Sequence, residues 1–234
     1  SLPGYIIYKL FGQRAVIIWG GILGGAISST ATTVSYSRRA AEQASHTIVA
    51  ASVIGIASAV AFARVLLEVL VVAPTFLMQA GPPLLIALLA AISPLVALWL
   101  RPRKSSEPFP EPKNPSELRA ALAFGALYAA VIWSLAAVKE YLSGEGMYAV
   151  AVLSGLTDMD AITLSTSRLV QTGRLDGGVG WRLILTAAMS NLVFKAILVS
   201  VLGQSKLLRR VVAIFSVPVV VLFLLIWVWP NLQF

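Results

Sequence analysis

Two carboxylates, Asp158 and Asp160, stand inside one long apolar stretch, and seven Ser or Thr crowd into the ten residues 28–37 of another. An ionised Asp at the centre of a membrane helix costs roughly 2.5–3.5 kcal/mol, so these two need water, a cation, a proton or a basic partner. Hydroxyls and carboxylates together form a hard-oxygen set suited to Na⁺, Mg²⁺ or H⁺. The expected ion- or solute-binding set is Ser28, Ser29, Thr30, Thr32 and Thr33 from one stretch, with Thr157, Asp158, Asp160 and Thr163 from the other. Asp158 and Asp160 are its candidate metal ligands, and Gly25, Gly155, Asn191 and Lys195 its candidate supports.

The two stretches are versions of one another. Residues 25–38 align without a gap to residues 155–168 at a constant offset of 130, with Gly, Ala, Thr, Ser, Ser and Arg coinciding at six of fourteen positions. Internal repeats place transporter sites where the copies meet. In a regular helix residues two apart point about 200° away from one another, so Asp158 and Asp160 cannot both face one ion unless the helix breaks near Gly155. A broken helix is the preferred reading, because unwound backbone at membrane depth lines cavities. The competing reading ends the segment at Leu156 and leaves both acids at the water interface as N-terminal helix charges. Each hydroxyl, taken singly, can also bond back to a carbonyl three or four residues earlier.

The elements that must hold these residues are membrane helices. The chain of 234 residues is 58% hydrophobic and 12% charged, with a mean hydropathy of +0.86, against roughly 45–50% and about 25% in soluble domains. The net charge of +8 sits in connections and at segment ends, apart from Arg64 and Lys195. It therefore reads as topology control and headgroup contact, and no basic stripe interleaved with aromatics supports nucleic-acid binding. The absence of Cys excludes disulfides and thiolate metal sites, and the one His, His46, lies in a polar connection as a solvated residue.

Apolar segments fall at 15–37, 47–73, 82–100, 119–142, 147–168, 182–203 and 207–229. The expected fold is an all-α polytopic membrane protein of about seven transmembrane segments plus a truncated first one, built from two repeats with Gly/Ser/Thr-interrupted helices. Residues 1–101 are the first repeat, 102–117 a Pro-rich charged linker and 118–234 the second repeat. Later echoes support this: Ser58 and Phe62 with Ser190 and Phe194, and Ser93-Pro94 with Ser216-Val217-Pro218. Ten Lys and Arg on the linker's side against six on the other favour a cytoplasmic linker. Four spans per unit predict parallel repeats, whereas a re-entrant polar segment would make them antiparallel. Arg64 and Glu68, four apart, are expected to pair on their own helix. Lys195 is expected to reach Asp158 or Asp160, with snorkelling as its competitor. The glycines 20, 21, 24 and 25 form overlapping GxxxG patterns for close packing within the chain or in a homodimer.

With Gly4-Tyr5, Gly12, the Gly20–Gly25 run, Ser28-Ser29-Thr30-Ala31-Thr32-Thr33 and residues 153–161 (LSGLTDMDA) in view, the chain resembles the membrane domain called domain of unknown function 4010, found at the C-terminus of many MgtC/SapB-family proteins. The resemblance implies a multi-pass protein of the inner (cytoplasmic) membrane of a prokaryote, with an MgtC-like helical domain upstream as partner. The start at Ser1, with no Met and no signal peptide, fits a chain that begins inside a longer protein. The resemblance assigns no activity.

The residues point first to a transporter or channel-like protein for an inorganic cation or small solute, in contact with the lipid bilayer and requiring no further cofactor. A regulatory or structural domain partnering the MgtC-like domain is the alternative. An intramembrane enzyme is disfavoured, because paired catalytic Asp from different helices and long Asp-rich diphosphate motifs are both missing.

Overall fold

The computed structural model describes residues 2–100 and 146–229, with side chains from residue 16 onward except residue 44. The expected linker 102–117 and span 119–142 lie outside the described residues. The described chain contains seven α-helices: α1 (Leu2–Glu42), α2 (Thr47–Val72), α3 (Leu77–Leu100), α4 (Gly146–Thr157), α5 (Met159–Gln171), α6 (Gly177–Leu202) and α7 (Ser205–Val228). A 3-10 turn, Ala44–His46, leads into α2. By length and composition five of the seven can cross a membrane, α1 through its Val16–Glu42 portion together with α2, α3, α6 and α7.

The polar helix α1 is not straight. At 1.5 Å per residue, Gly24 and Thr32 would lie about 12 Å apart and Gly20 and Tyr36 about 24 Å apart. Instead, a Cβ built on Gly24 would lie 2.5 Å from Thr32 Oγ1, and one on Gly20 3.1 Å from the Tyr36 hydroxyl. The helix folds back on itself around Ser28, whose Oγ accepts the Ala31 N–H at 3.2 Å in the manner of an N-cap. Its length is therefore divided between two packed arms. The first arm then runs alongside α2 in the same direction, with Gly21 against Val53 and Ile56, and Gly25 against Ala57 and Val60.

The equivalent break in the second half is explicit. Between α4 and α5, Asp158 is extended (φ −155°, ψ 136°) and its Oδ1 accepts the Asp160 N–H at 3.0 Å. The expected segment 147–168 is thus divided at Asp158, and α5, with 13 residues, does not cover the ~30 Å hydrocarbon core alone. A shift of 130 carries Gly25 on the Ala57 backbone to Gly155 on the Ala187 backbone. The same shift takes the Thr33 bond to Ser29 O onto the Thr163 bond to Met159 O, and Thr47–Val72 onto Gly177–Leu202. By this relation α4 lies on α6 as the first arm of α1 lies on α2.

Helices α2 and α6 run antiparallel to one another, where four spans per unit predicted parallel repeats. Gln204, between α6 and α7, donates to Ala41 O at the end of α1 at 2.9 Å, and Thr75, between α2 and α3, donates to Gln171 Oε1 at the end of α5 at 3.0 Å. These contacts lie at opposite ends of α2, so the polar hairpins open toward opposite faces.

Helices α2 and α6 form the centre, with Val53, Ile54, Phe62, Val65, Ile184, Leu185 and Leu192 buried. Helices α3 and α7 pack outside them and against each other, and their outer faces expose Leu85, Leu89, Val96, Val220, Phe223 and Leu224. Such apolar rows fit lipid tails. The Ser-Pro echoes sit inside these outer helices, where Ser93 bonds Ala90 O at 3.1 Å and Ser216 bonds Ala213 O at 3.0 Å.

Candidate functional site

Where a helix breaks it leaves free carbonyls at the end of its first arm and free N–H groups at the start of its second. Both hairpins solve the first problem with a side chain from the central helix beside them. On the first hairpin, Arg64 of α2 donates from Nη1 to Gly25 O at 3.1 Å and Ala26 O at 3.3 Å. On the second, Asn191 of α6 donates from Nδ2 to Gly155 O at 2.8 Å, and Ser190 reaches Val152 O at 2.6 Å. The freed N–H groups are met by Ser28 and Asp158, residues 130 apart.

Arg64 does more than Asn191. Its other terminal nitrogen pairs with the Asp160 carboxylate, so one guanidinium holds the carbonyl end of the first hairpin and an acid of the second. The charges of Arg64 and Lys195 both act on Asp158. The Arg64 and Asp160 side chains remain 25% and 20% exposed, which leaves this junction open on one side.

The expected residues are therefore partly gathered. Gly25 and Asp160 meet through Arg64, with Asp158 nearby. Asn191 holds the Gly155 carbonyl. Ser29, Thr30, Thr32, Thr33 and Thr163 are buried, while Ser28, Thr157 and Asp158 are half-buried. Thr32, Thr33, Thr157 and Thr163 each donate backward along the chain, to Ser28 O, Ser29 O, Ser154 O and Met159 O. A hydroxyl whose proton is committed in this way still offers lone pairs. The helix does break at the acids, and Asp158 is the cap of α5.

Two expectations, on Arg64 and on Lys195, are corrected. Arg64 turns to Asp160 and the α1 carbonyls instead of pairing with Glu68, since free carbonyls and an acid beside it offer more partners than one neighbour on its own helix. Lys195, 1% exposed, donates to Ser58 Oγ at 3.3 Å instead of to either Asp. The Gly21 and Gly25 faces are consumed by α2, and Gly20 and Gly24 by the second arm of α1, so this run serves packing within the chain. No group of three or more His, Cys, Asp or Glu among the described residues is arranged around a metal position.

Sequence reasoning missed the bridging role of Arg64 and the Lys195–Ser58 contact. A usable signal did exist for the double break, since Ser28 and Asp158, both good N-cap residues, occupy equivalent positions in the repeat.

A profile of the domain of unknown function DUF4010 matches residues 1–203. The chain belongs to the DUF4010 family. Among curated proteins it is similar to an uncharacterized protein of Aquifex aeolicus (strain VF5), with 38% identity over 95 residues. The match spans 41% of this chain and 41% of that relative's length. No solved structure matches the chain.

Proposed function

We propose that this DUF4010 chain is a membrane transporter or channel-like protein for an inorganic cation or small solute, built from two inverted repeats whose hairpin tips form the binding site near the bilayer midplane. The observation that carries the reading is the Arg64 guanidinium, bonded at once to Gly25 and Ala26 of one hairpin and Asp160 of the other. Broken helices from opposite faces, with half-helix ends directed at one polar junction, are the arrangement secondary transporters use to bind ions and charged solutes. Packing alone gives no reason to keep an acid, a guanidinium and two unwound segments together at membrane depth, where each is costly.

In this reading the lone pairs of Ser28, Ser29, Thr30, Thr32, Thr33, Thr157 and Thr163 complete an oxygen shell around Na⁺, Mg²⁺ or H⁺, with Asp158 and Asp160 as the charged ligands. A ligand that binds the folded protein stabilises it by mass action. Purified protein in detergent, melted across a panel of metal ions and pH, is expected to show an ion-specific rise in melting temperature that Asp158→Asn and Asp160→Asn lose. Identical responses in parent and variants would overturn the reading, as would the absence of any flux in liposomes. The cytoplasmic membrane of a prokaryote is the proposed location and an MgtC-like domain the proposed partner.

A further inference from the structure

One turn beyond Arg64 on α2, Glu68 buries its Oε2 with no hydrogen-bond partner, and it is the one carboxylate oxygen among the described residues in that condition. The other acids of the cluster are committed, Asp160 to Arg64 and Asp158 to the Asp160 N–H. Arg64 cannot serve Glu68 fully, because its guanidinium already spans Gly25, Ala26 and Asp160. A carboxylate oxygen that is out of water and without a donor carries a desolvation cost, which a proton removes. The residue as a whole is half-buried.

Of the charged groups on the described elements packed against α2, Arg168 of α5 is exposed. Arg64 on its own helix and Asp158 at the second hairpin tip act on Glu68 directly, with Asp160 beyond Arg64 and Lys195 on α6 beyond Asp158. Helix α3 carries no titratable residue. The basic residues of α7, Lys206, Arg209 and Arg210, lie in its first turns, beside the connection that meets the end of α1 and away from the Glu68 end of α2. Arg38, Arg39 and Glu42 of α1 lie at that same far end.

We propose that Glu68 is the proton-binding group of the hairpin site, gaining and losing a proton as the junction at Arg64 changes occupant. The proposal rests on the transport reading for its purpose, but its test does not measure transport. Dicyclohexylcarbodiimide adds to protonated carboxyls in apolar surroundings, and peptide mass spectrometry of the purified full chain locates the adduct. Labelling is expected on Glu68, increasing severalfold as the pH is lowered, absent in Glu68→Gln and retained on Glu68 in Asp160→Asn. An unlabelled Glu68 in the parent at every pH would overturn the proposal, as would label confined to Asp158 or Asp160. The parent alone decides the question if Glu68→Gln fails to fold. Labelled Glu68 without liposome flux refutes transport and leaves the proton site standing, whereas flux with Glu68 unlabelled does the reverse.

Discussion

The two hairpins solve the same backbone problem with different chemistry. In the first, a glycine run closes the arms on one another, Ser28 caps the second arm, and a charged Arg64 satisfies the carbonyls of the first. In the second, a charged Asp158 does the capping and a neutral Asn191 satisfies the carbonyl. The charge has changed ends: one hairpin receives its cation at the carbonyl side, the other provides its anion at the amide side. Each choice suits the partial charge of the helix end it meets, negative at carbonyls and positive at amides. The repeat thus preserves geometry, and the substitutions within it create the ion pair that joins the halves.

The comparison breaks most severely at the shared glycines. A Cβ on Gly155 would meet the backbone of Ala187, and one on Gly25 the backbone of Ala57, neither of which can rotate away. Gly155→Leu and Gly25→Leu are each expected to cost about 3 kcal/mol, the upper end of ordinary overpacking, seen as loss of the monodisperse peak in size-exclusion chromatography. Gly81→Ala, with only Leu77 at 3.6 Å, should instead stabilise α3 by roughly 0.5–1 kcal/mol.

The carbonyl partners come next. Arg64→Met strands Asp160 and two carbonyls, and is expected to cost about 3 kcal/mol, the lower end for one member of a buried pair. Asn191→Ala strands one carbonyl for about 1–3 kcal/mol. Equal melting-temperature losses in the two variants would erase the distinction drawn between the hairpins. A double-mutant cycle of Arg64→Met with Asp160→Asn should show strong coupling.

The caps have a smaller effect. Ser28→Ala and Asp158→Ala should each lower stability by about 0.5–2 kcal/mol, with Asp158 the larger because its charge also faces a helix N-terminus. Denaturant titration in detergent would rank them. The smallest effect is expected at Ser37 and Ser167, also 130 apart, both fully buried with hydroxyls that have no partner. Alanine at either should be neutral or slightly stabilising in a thermal melt, because no hydrogen bond is lost. A clear destabilisation at only one of them would reveal a hidden difference between the halves.

Much of this was legible before any coordinates. The polar stretches, their offset of 130, the discontinuity near Gly155 and the five described helices able to cross a membrane all followed from local composition and spacing, which act through a few neighbouring residues. The break at Ser28 was harder to read, because it lies in a run of hydroxyls, each of which could equally bond back along an unbroken helix. The arrangement of charges was not legible, since Arg64 had an acid at ideal spacing on its own helix.

By itself the sequence determined that this is a helical membrane protein with one polar motif written twice, because hydropathy and the cost of buried charge depend on residue type alone. Tertiary structure alone decided that the halves oppose one another, that Arg64 reaches across to Asp160, and that Glu68 and Lys195 are left to other roles. Those outcomes depend on which helix ends come within reach of which side chain, a distance in space that no spacing along the chain encodes.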